Sequence, residues 1–289
     1  MKRWIGWAGR AFSYALFVSP HGLRRAFAWV LAFLWFDLFR IRRQSALDNV
    51  AIAFPQMAAD ERVRIVRQSL QHLAHNLVEY SFLPWVTKDN ANELMEFQNF
   101  ELLDEVLARG RGALLLTLHM GHGDLACAAM SFKGYPVIMV SKVFKAKWLN
   151  DLWFGMRERA GTKFVPPRNS SYALLKGLKT GHCTIIPLDQ FTGPPVGVRT
   201  TFFGRETGTA AGLAVMAARS KAPVISCYTW RQANGRHALR MVREIPLGGD
   251  SADSTEDVTQ RFNNELETFV RLHPEQWMWI HRRWKTFKY

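Results

Sequence analysis

The segment Leu114-Leu115-Leu116-Thr117-Leu118-His119-Met120-Gly121-His122-Gly123-Asp124 favours an α/β fold, because its apolar run ends abruptly at a polar, glycine-rich turn. An uninterrupted apolar run of this length is typical of a strand buried on both faces. Functional residues often lie in the turn after such a strand, because the strand holds the turn rigidly while the turn backbone is not committed to the sheet. His119 and Asp124 are therefore the first candidate functional residues.

Strand-like and helix-like segments alternate over much of the remaining chain. This alternation predicts an α/β domain with a central, mostly parallel or mixed sheet flanked by helices. Ser254 and Asp257 have the spacing of a capping box at the start of the last helix. The predicted strands are 113–118, 136–140, 183–187, 199–203, 223–229 and 238–242. A helix with its apolar face over 63–77 is predicted to be capped by Asp60 and to stop before Pro84, and the other predicted helices are 102–108, 124–132, 146–159, 171–179, 210–219 and 254–272.

The first 44 residues differ from the rest of the chain in their many aromatic and arginine residues. Their uncharged run, 26–36, is shorter than the roughly 20 apolar residues that a spanning helix needs. The aromatic residues and flanking arginines favour helices that lie in, or dip into, a bilayer. We therefore predict N-terminal hydrophobic membrane-anchor helices in residues 1–44 and a catalytic domain in residues 45–289. A helical hairpin that covers the core is the alternative.

The composition limits the classes of partner and of fold. The chain has 289 residues, 48% of them hydrophobic, which is enough for a substantial core. A formal net charge of +14 favours nucleic acid, anionic lipid or an acidic carrier protein as partner. Cys127, Cys183 and Cys227 lie far apart in apolar contexts, so we expect buried thiols rather than disulfides.

The pattern His119-x-x-His122-x-Asp124 allows three functional interpretations. In the first, Asp124 holds one ring nitrogen of His119, and the other nitrogen acts as a general base. In the second, His119, His122 and Asp124 bind zinc or iron. In the third, Cys127 is a nucleophile, although its apolar neighbours favour a place in the core. A histidine used only as a cap or a core hydrogen-bonder is the non-functional alternative.

Asp189 directly follows the predicted strand 184–188. In parallel sheets, ligands bind beyond the carboxyl ends of the strands. If this strand runs parallel to the one that ends at His119, both side chains reach the same edge. Asp189 is therefore a further candidate site residue.

The chain resembles the bacterial lipid A biosynthesis acyltransferases (the lauroyl and myristoyl transferases), within the wider glycerolipid acyltransferase superfamily. That superfamily carries a histidine, four residues and then aspartate or glutamate, and His119 to Asp124 have this spacing. Further matching segments follow the order expected for the family. They are Asn49–Pro55, Asp189-Gln190, Gly197-Val198, Phe202-Phe203-Gly204 and Pro274–Thr286.

The resemblance implies a membrane-associated O-acyltransferase. The enzyme would move a fatty acyl chain from an acyl-carrier-protein thioester, or from acyl-CoA, to a hydroxyl of a lipid A precursor or related glycolipid. It would work at the cytoplasmic face of the bacterial inner membrane, in contact with its lipid and anchored by the N-terminal segment. No metal, other cofactor or nucleic acid is expected.

The resemblance also implies a role for each candidate residue. His119 would be the general base, and Asp124 would hold its ring. The residues expected to bind the oxyanion or substrate are Arg157, Arg159, Lys142 and Asp189. We expect the basic, tryptophan-containing tail around Arg282 and Arg283 to lie near the membrane surface and contact lipid phosphate, with one of these two arginines buried against a carboxylate.

Three alternative functions remain open at this point. The acceptor could be another lysolipid, such as a lysophospholipid or an amino-acid lipid. The protein could be a metal-dependent hydrolase. It could also be a basic membrane or nucleic-acid-binding protein without enzymatic activity.

Overall fold

The computed structural model describes residues 2–141, 143, 145, 147–166, 170–247 and 253–287. Its α-helices are α1 (Lys2–Val18), α2 (His21–Phe33), α3 (Arg43–Ala53), α4 (Ala59–Tyr80), α5 (Ala91–Leu94), α6 (Glu101–Leu107), α7 (Gly123–Phe132), α8 (Lys147–Glu158), α9 (Ser170–Lys179), α10 (Gly212–Ser220) and α11 (Thr255–Leu272). Its strands are β1 (Met95–Gln98), β2 (Ala113–Thr117), β3 (Val137–Val140), β4 (Lys163–Val165), β5 (Cys183–Pro187), β6 (Gly197–Phe202), β7 (Arg205–Ala210), β8 (Val224–Arg231) and β9 (His237–Glu244).

Seven of these strands form one sheet in the order β1-β9-β8-β2-β5-β3-β4. Strands β8, β2, β5, β3 and β4 are mutually parallel, whereas β9 runs antiparallel to β8 and parallel to β1. Strands β6 and β7 form a separate antiparallel hairpin. The predicted α/β class with a mostly parallel, mixed sheet is therefore confirmed.

Strand β2 lies in the middle of the sheet and is buried on both faces. Leu114 and Leu116 pack on one face with helices α3, α4, α9, α10 and α11. Ala113 and Leu115 pack on the other face with α5, α6 and α7. This alternation of side chains is what a strand between two helical layers requires. The central position makes the carboxyl end of β2 a rigid support for the turn that follows.

Most of the predicted elements are present, and the differences are local. The prediction lacked β1, β4 and β7, because none of these strands contains an apolar run. Helix α4 begins at Ala59, so Asp60 lies in its first turn and is not the predicted cap, and the helix ends before Pro84, as predicted. The capping box is confirmed, since the Ser254 side chain accepts a hydrogen bond from the Asp257 N–H. The prediction of buried, unpaired cysteines is confirmed as well.

The predicted N-terminal membrane anchor is wrong. Among the described residues, no helix has both the length and the apolar character needed to cross a membrane. Helix α2 packs against α4 instead, with Ala28 and Ala32 in one cluster with Ala74 and Val78 of α4. Small residues one helical turn apart allow two helices to approach closely. The same aromatic-rich composition therefore belongs to a helix that contributes to the core.

We expect Ala32→Phe to destabilise the protein, because Ala32 is 2% exposed at the contact between α2 and α4. Overpacking of this kind costs about 1–3 kcal/mol, measurable as a lower midpoint of chemical denaturation. Ala26→Phe is the matched control, since Ala26 is an exposed residue of the same helix. Equal midpoints for the two variants would contradict the packing of α2 on α4.

Candidate active site

Two neighbouring parallel strands bring His119 and Asp189 together. Strands β2 and β5 pair with Thr117 opposite Pro187, and the two site residues each follow two positions later. Nδ1 of His119 lies 2.7 Å from Oδ1 of Asp189, and the His119 backbone N–H donates to Oδ2 at 3.0 Å. The prediction that both side chains reach the same edge of the sheet is confirmed.

The carboxylate of Asp189 is buried and surrounded by donors. Besides the two groups of His119, the indole N–H of Trp277 donates to Oδ2 at 2.7 Å. Burial alone raises the pKa of this carboxyl group. The charge of His119 and the hydrogen bonds outweigh burial, so the pKa of Asp189 falls to about 2. Asp189 is therefore an anion at neutral pH.

The environment of His119 determines which ring nitrogen can act as a base. Burial lowers the pKa of His119, but the charge and hydrogen bond of Asp189 raise it more, so its pKa lies above 6.5. Because Nδ1 faces a carboxylate, it carries the ring proton and leaves the lone pair on Nε2. The side chain is 36% exposed and lines a cleft. The amide nitrogen of Gln190 lies 3.3 Å from Nε2.

Asp124, which was predicted to hold the His119 ring, has other partners. Its Oδ2 accepts a hydrogen bond from the Tyr80 hydroxyl at 2.5 Å, and its Oδ1 accepts one from Nε of Arg157 at 2.5 Å. The carboxylate in contact with the ring is that of Asp189, so the predicted pairing is corrected. The physical reason is that Asp124 lies in the first turn of α7, which directs its side chain toward α8.

Of the three predicted cations, the structure brings Arg157 to the cleft. Arg157 is 6% exposed, and its Nη1 donates to Oγ of Ser141 at 2.7 Å. Its guanidinium carbon also lies 3.8 Å from the ring centre of Phe164. Arg159 is exposed just beyond the end of α8. Lys142 lies outside the described residues.

The turn between β2 and α7 is held from several sides. Nδ1 of His122 accepts a hydrogen bond from the Leu125 N–H at 3.2 Å, so this histidine is the N-cap of α7. Gly121 has a φ of +58°, and a Cβ atom there would lie 2.3 Å from the carbonyl oxygen of Thr229. Asn76 donates to the Gly121 carbonyl at 2.5 Å. The turn therefore requires glycine at this position.

The remaining interpretations of the motif find less support. His119, His122 and Asp124, the candidate metal ligands, each contact a different partner. The described part of the chain holds no group of three or more histidine, cysteine, aspartate or glutamate residues arranged to bind a metal ion. Burial raises the pKa of the Cys127 thiol well above its ordinary value, which opposes a nucleophilic role.

A cleft of about 380 Å³ extends from His119 into the space between the sheet and α7. Its volume lies in the range of small-molecule sites. Its inner wall is apolar, with Leu115, Ile185 and Leu239 from the sheet. Helix α7 contributes one face to the cleft through Gly123, Ala126, Cys127 and Met130. The arrangement can therefore hold a long apolar group with its reactive end near His119.

Sequence reasoning did not identify the role of the C-terminal segment. The prediction that one of Arg282 and Arg283 is buried is confirmed for Arg283, and burial lowers its pKa to about 10. Its Nη1 donates to the carbonyl oxygens of Gln190 at 3.2 Å and Gly208 at 2.7 Å, and its Nη2 donates to Thr209 Oγ1 and Asn263 Oδ1. These acceptors are not carboxylates, in contrast to the prediction. Arg283 therefore positions the backbone beside Asp189.

Comparison with known proteins identifies relatives over nearly all of the chain. The family model described as bacterial lipid A biosynthesis acyltransferase matches residues 1–286. The chain is 24% identical over 286 residues to a lipid A biosynthesis acyltransferase of Haemophilus influenzae, covering 99% of this chain and 89% of the relative. It is 24% identical over 289 residues to the lipid A biosynthesis lauroyltransferase of Escherichia coli, covering 99% and 92%.

One relative is named for a different acceptor, phosphatidylinositol mannoside. The chain is 24% identical over 240 residues to a phosphatidylinositol mannoside acyltransferase of Mycolicibacterium smegmatis. This match covers 82% of the chain and 77% of the relative.

We expect Asp189→Asn to lower the pKa of His119 and to change its tautomer. Without the carboxylate charge, burial determines the shift. Two donors, the His119 N–H and the Trp277 indole, meet at Oδ2, so they retain the asparagine oxygen there. The new NH₂ group then faces Nδ1, which moves the ring proton to Nε2.

Imidazole ¹⁵N NMR titrations measure both the pKa and the tautomer of His119. Glu206→Gln is the control, since Glu206 is an exposed acidic residue of the β6–β7 hairpin. An unchanged pKa and Nδ1–H tautomer in Asp189→Asn would contradict the assigned pairing.

Proposed function

The chain belongs to the bacterial lipid A biosynthesis acyltransferase family, and we propose that it transfers a fatty acyl chain from a thioester donor to a hydroxyl of a lipid A precursor or related glycolipid, with His119 as the general base. The membership makes the protein an O-acyltransferase of glycolipid synthesis.

The observation that carries the proposal is the position of the His119–Asp189 pair at the edge of an apolar cleft. His119 lines the cleft, Asp189 at Nδ1 leaves the lone pair on Nε2, and the amide nitrogen of Gln190 lies 3.3 Å from that atom. A fatty acyl chain in that space would have its carbonyl carbon near the base. An acceptor hydroxyl enters from the open side of the cleft.

The proposed reaction has two steps. Nε2 of His119 takes the proton from the acceptor hydroxyl while the oxygen attacks the thioester carbonyl and forms a tetrahedral intermediate. The intermediate collapses, the carbon–sulfur bond breaks, and the imidazolium returns its proton to the leaving thiolate. The products are an ester and a free thiol. Asp189 stabilises the imidazolium between the two steps, because it is a buried anion in contact with the ring.

Negative charge on the tetrahedral oxygen needs fixed donors close to the base. Arg157 supplies a cation in the cleft, where Asp124 and Ser141 hold it. The first turn of α7 also borders the cleft at Gly123, and a helix N-terminus carries partial positive charge. In the proposed mechanism, Asp124 is a positioning residue for Arg157 and not for the His119 ring.

We further propose that the donor is an acyl carrier protein or acyl-CoA. Both are acidic thioester carriers, and the net charge of +14 would speed the encounter of either with this protein. The acceptor is a lipid, so the proposed place of action is the cytoplasmic surface of the bacterial inner membrane, where donor and acceptor meet.

A second candidate acceptor is a mannose-containing glycolipid. The similarity to a phosphatidylinositol mannoside acyltransferase favours this candidate. The proposed base and apolar cleft serve both acceptors equally, because the two reactions share the same attack of a hydroxyl on a thioester.

We expect His119→Ala to lower the rate of acyl transfer by about 10²- to 10⁴-fold, the usual contribution of a general base. The measurement is mass spectrometry of lipids extracted from cells that carry the variant, the unaltered protein or neither. The unaltered protein should add one acyl chain to a glycolipid. His182→Ala is the control, since His182 lies at the opposite edge of the sheet, before β5. A lipid profile that does not respond to the protein would contradict the function.

We expect Ala126→Phe to shift the donor preference toward shorter acyl chains. Ala126 lies one helical turn along α7 from Gly123, on the face that lines the cleft, so a phenyl ring there would block the deeper space. Met130→Ala, one further turn along, should have the opposite effect. Competition among donors of different chain length measures the preference. A preference that does not change in either variant would contradict this placement of the acyl chain.

A further inference from the structure

A second cavity, of about 480 Å³, lies between α2 and α4. Helix α2 contributes Arg25 and Trp29, and helix α4 contributes Gln71 and His72. The turn between β8 and β9 and the segment before Trp277 complete its walls. Gln276 lines this cavity and also the cleft that contains His119, so the two spaces adjoin.

The walls of this cavity contain hydrogen-bonding groups that the protein does not use. In the ranges that the structure describes, the partly exposed side chains of Gln71 and His72 make no hydrogen bond within the protein. Three side-chain atoms of the walls are buried and lack a hydrogen-bond partner: Nε2 of His21, Nε2 of His75 and the carbonyl oxygen of Gln232. Polar groups inside proteins are nearly always paired, so such a concentration indicates a ligand.

The charge of the cavity favours a neutral ligand. Arg231 is neutralised by Glu79 through two hydrogen bonds of 2.6 Å. Burial, and after it the charge of Arg231, lower the pKa of His72 to about 4 and that of His75 to about 3. Both imidazoles are therefore uncharged at neutral pH.

The chemistry of these groups matches a polyhydroxylated ring. A carboxamide and a neutral imidazole each offer a donor and an acceptor, which is what a hydroxyl group needs from its partner. Trp29 is 55% exposed and lies beside these groups, where its indole can pack against the apolar face of a sugar. Phosphate would instead require an excess of cations, whereas the two remaining charged residues of the walls, Arg25 and Glu275, have opposite signs.

We propose that this cavity binds a sugar ring through its hydroxyl groups, and that during acyl transfer it holds a sugar of the glycolipid acceptor. The second part rests on the proposed function, whereas the first does not. A sugar in this position adjoins the cleft at Gln276. It also contacts a chain of hydrogen bonds in which Arg231 donates to Asn76 at 2.8 Å and Asn76 donates to Gly121 of the catalytic turn.

The first experiment measures sugar binding directly. Saturation-transfer NMR with methyl glucoside and methyl mannoside gives the affinity of the full chain for each sugar. We expect the double variant with Gln71→Ala and His72→Ala to bind about tenfold more weakly or worse, since each lost hydrogen bond costs roughly a factor of five. Arg64→Ala, on the solvent-exposed side of α4, is the matched control. Trp29→Ala, an exposed position, repeats the test without altering α4.

Each outcome of this experiment is informative. No binding by the unaltered protein, or equal affinity in all variants, would overturn the sugar site. Displacement of the sugar by inorganic phosphate at equal concentration would also overturn it, in favour of an anion site.

The second experiment tests the link to acyl transfer. With a glycolipid acceptor, the double variant should raise the acceptor KM about tenfold while the donor KM stays within about twofold. Loss of sugar binding with an unchanged acceptor KM would mean that the cavity serves a free sugar, which overturns the second part alone. If the unaltered protein transfers no acyl chain, the proposed function fails, and the NMR result still decides the cavity.

Discussion

The buried carboxylate of Asp189 constrains the geometry of the whole site, because a charge inside a protein persists only where donors surround it. Its three donors come from the His119 ring, the His119 backbone and the Trp277 indole. These groups belong to the end of β2 and to the C-terminal segment, while Asp189 itself follows β5. A single charge thus joins three distant parts of the chain at one edge of the sheet, and the base is oriented by the same contacts.

The buried ion pair between Asp124 and Arg157 also lies at the cleft, but it positions the cation and not the base. A buried ion pair returns little net stability, since the cost of removing two charges from water roughly offsets their attraction. Its value here lies in position. Asp124 shares its two oxygens between Tyr80 and Arg157, so the guanidinium is fixed in the cleft beside Ser141. The two carboxylates therefore have different roles: Asp189 orients the proposed base, and Asp124 positions the cation.

The differences between sequence and structure at this site have one physical origin. The end of β2 was predictable, because a strand buried on both faces is a continuous apolar run. The contact of His119 with Asp189 instead of Asp124 was not predictable. It depends on the register between β2 and β5, which lie about 70 residues apart in the chain. Asp124 is closer in sequence and has the family spacing, yet the first turn of α7 directs it to α8. Local spacing cannot reveal such long-range register.

The N-terminal segment shows the same limit and connects the fold to the proposed sugar site. Its aromatic residues and arginines resemble those of a lipid-facing helix, and composition does not distinguish lipid from a neighbouring helix. In the structure, Ala28 and Ala32 let α2 approach α4 closely. That approach places Arg25 and Trp29 opposite Gln71 and His72 and so forms the second cavity. The segment whose composition suggests a membrane anchor therefore has two other roles. Its small residues form the contact between α2 and α4. Its arginine and tryptophan form part of the wall of the proposed sugar site.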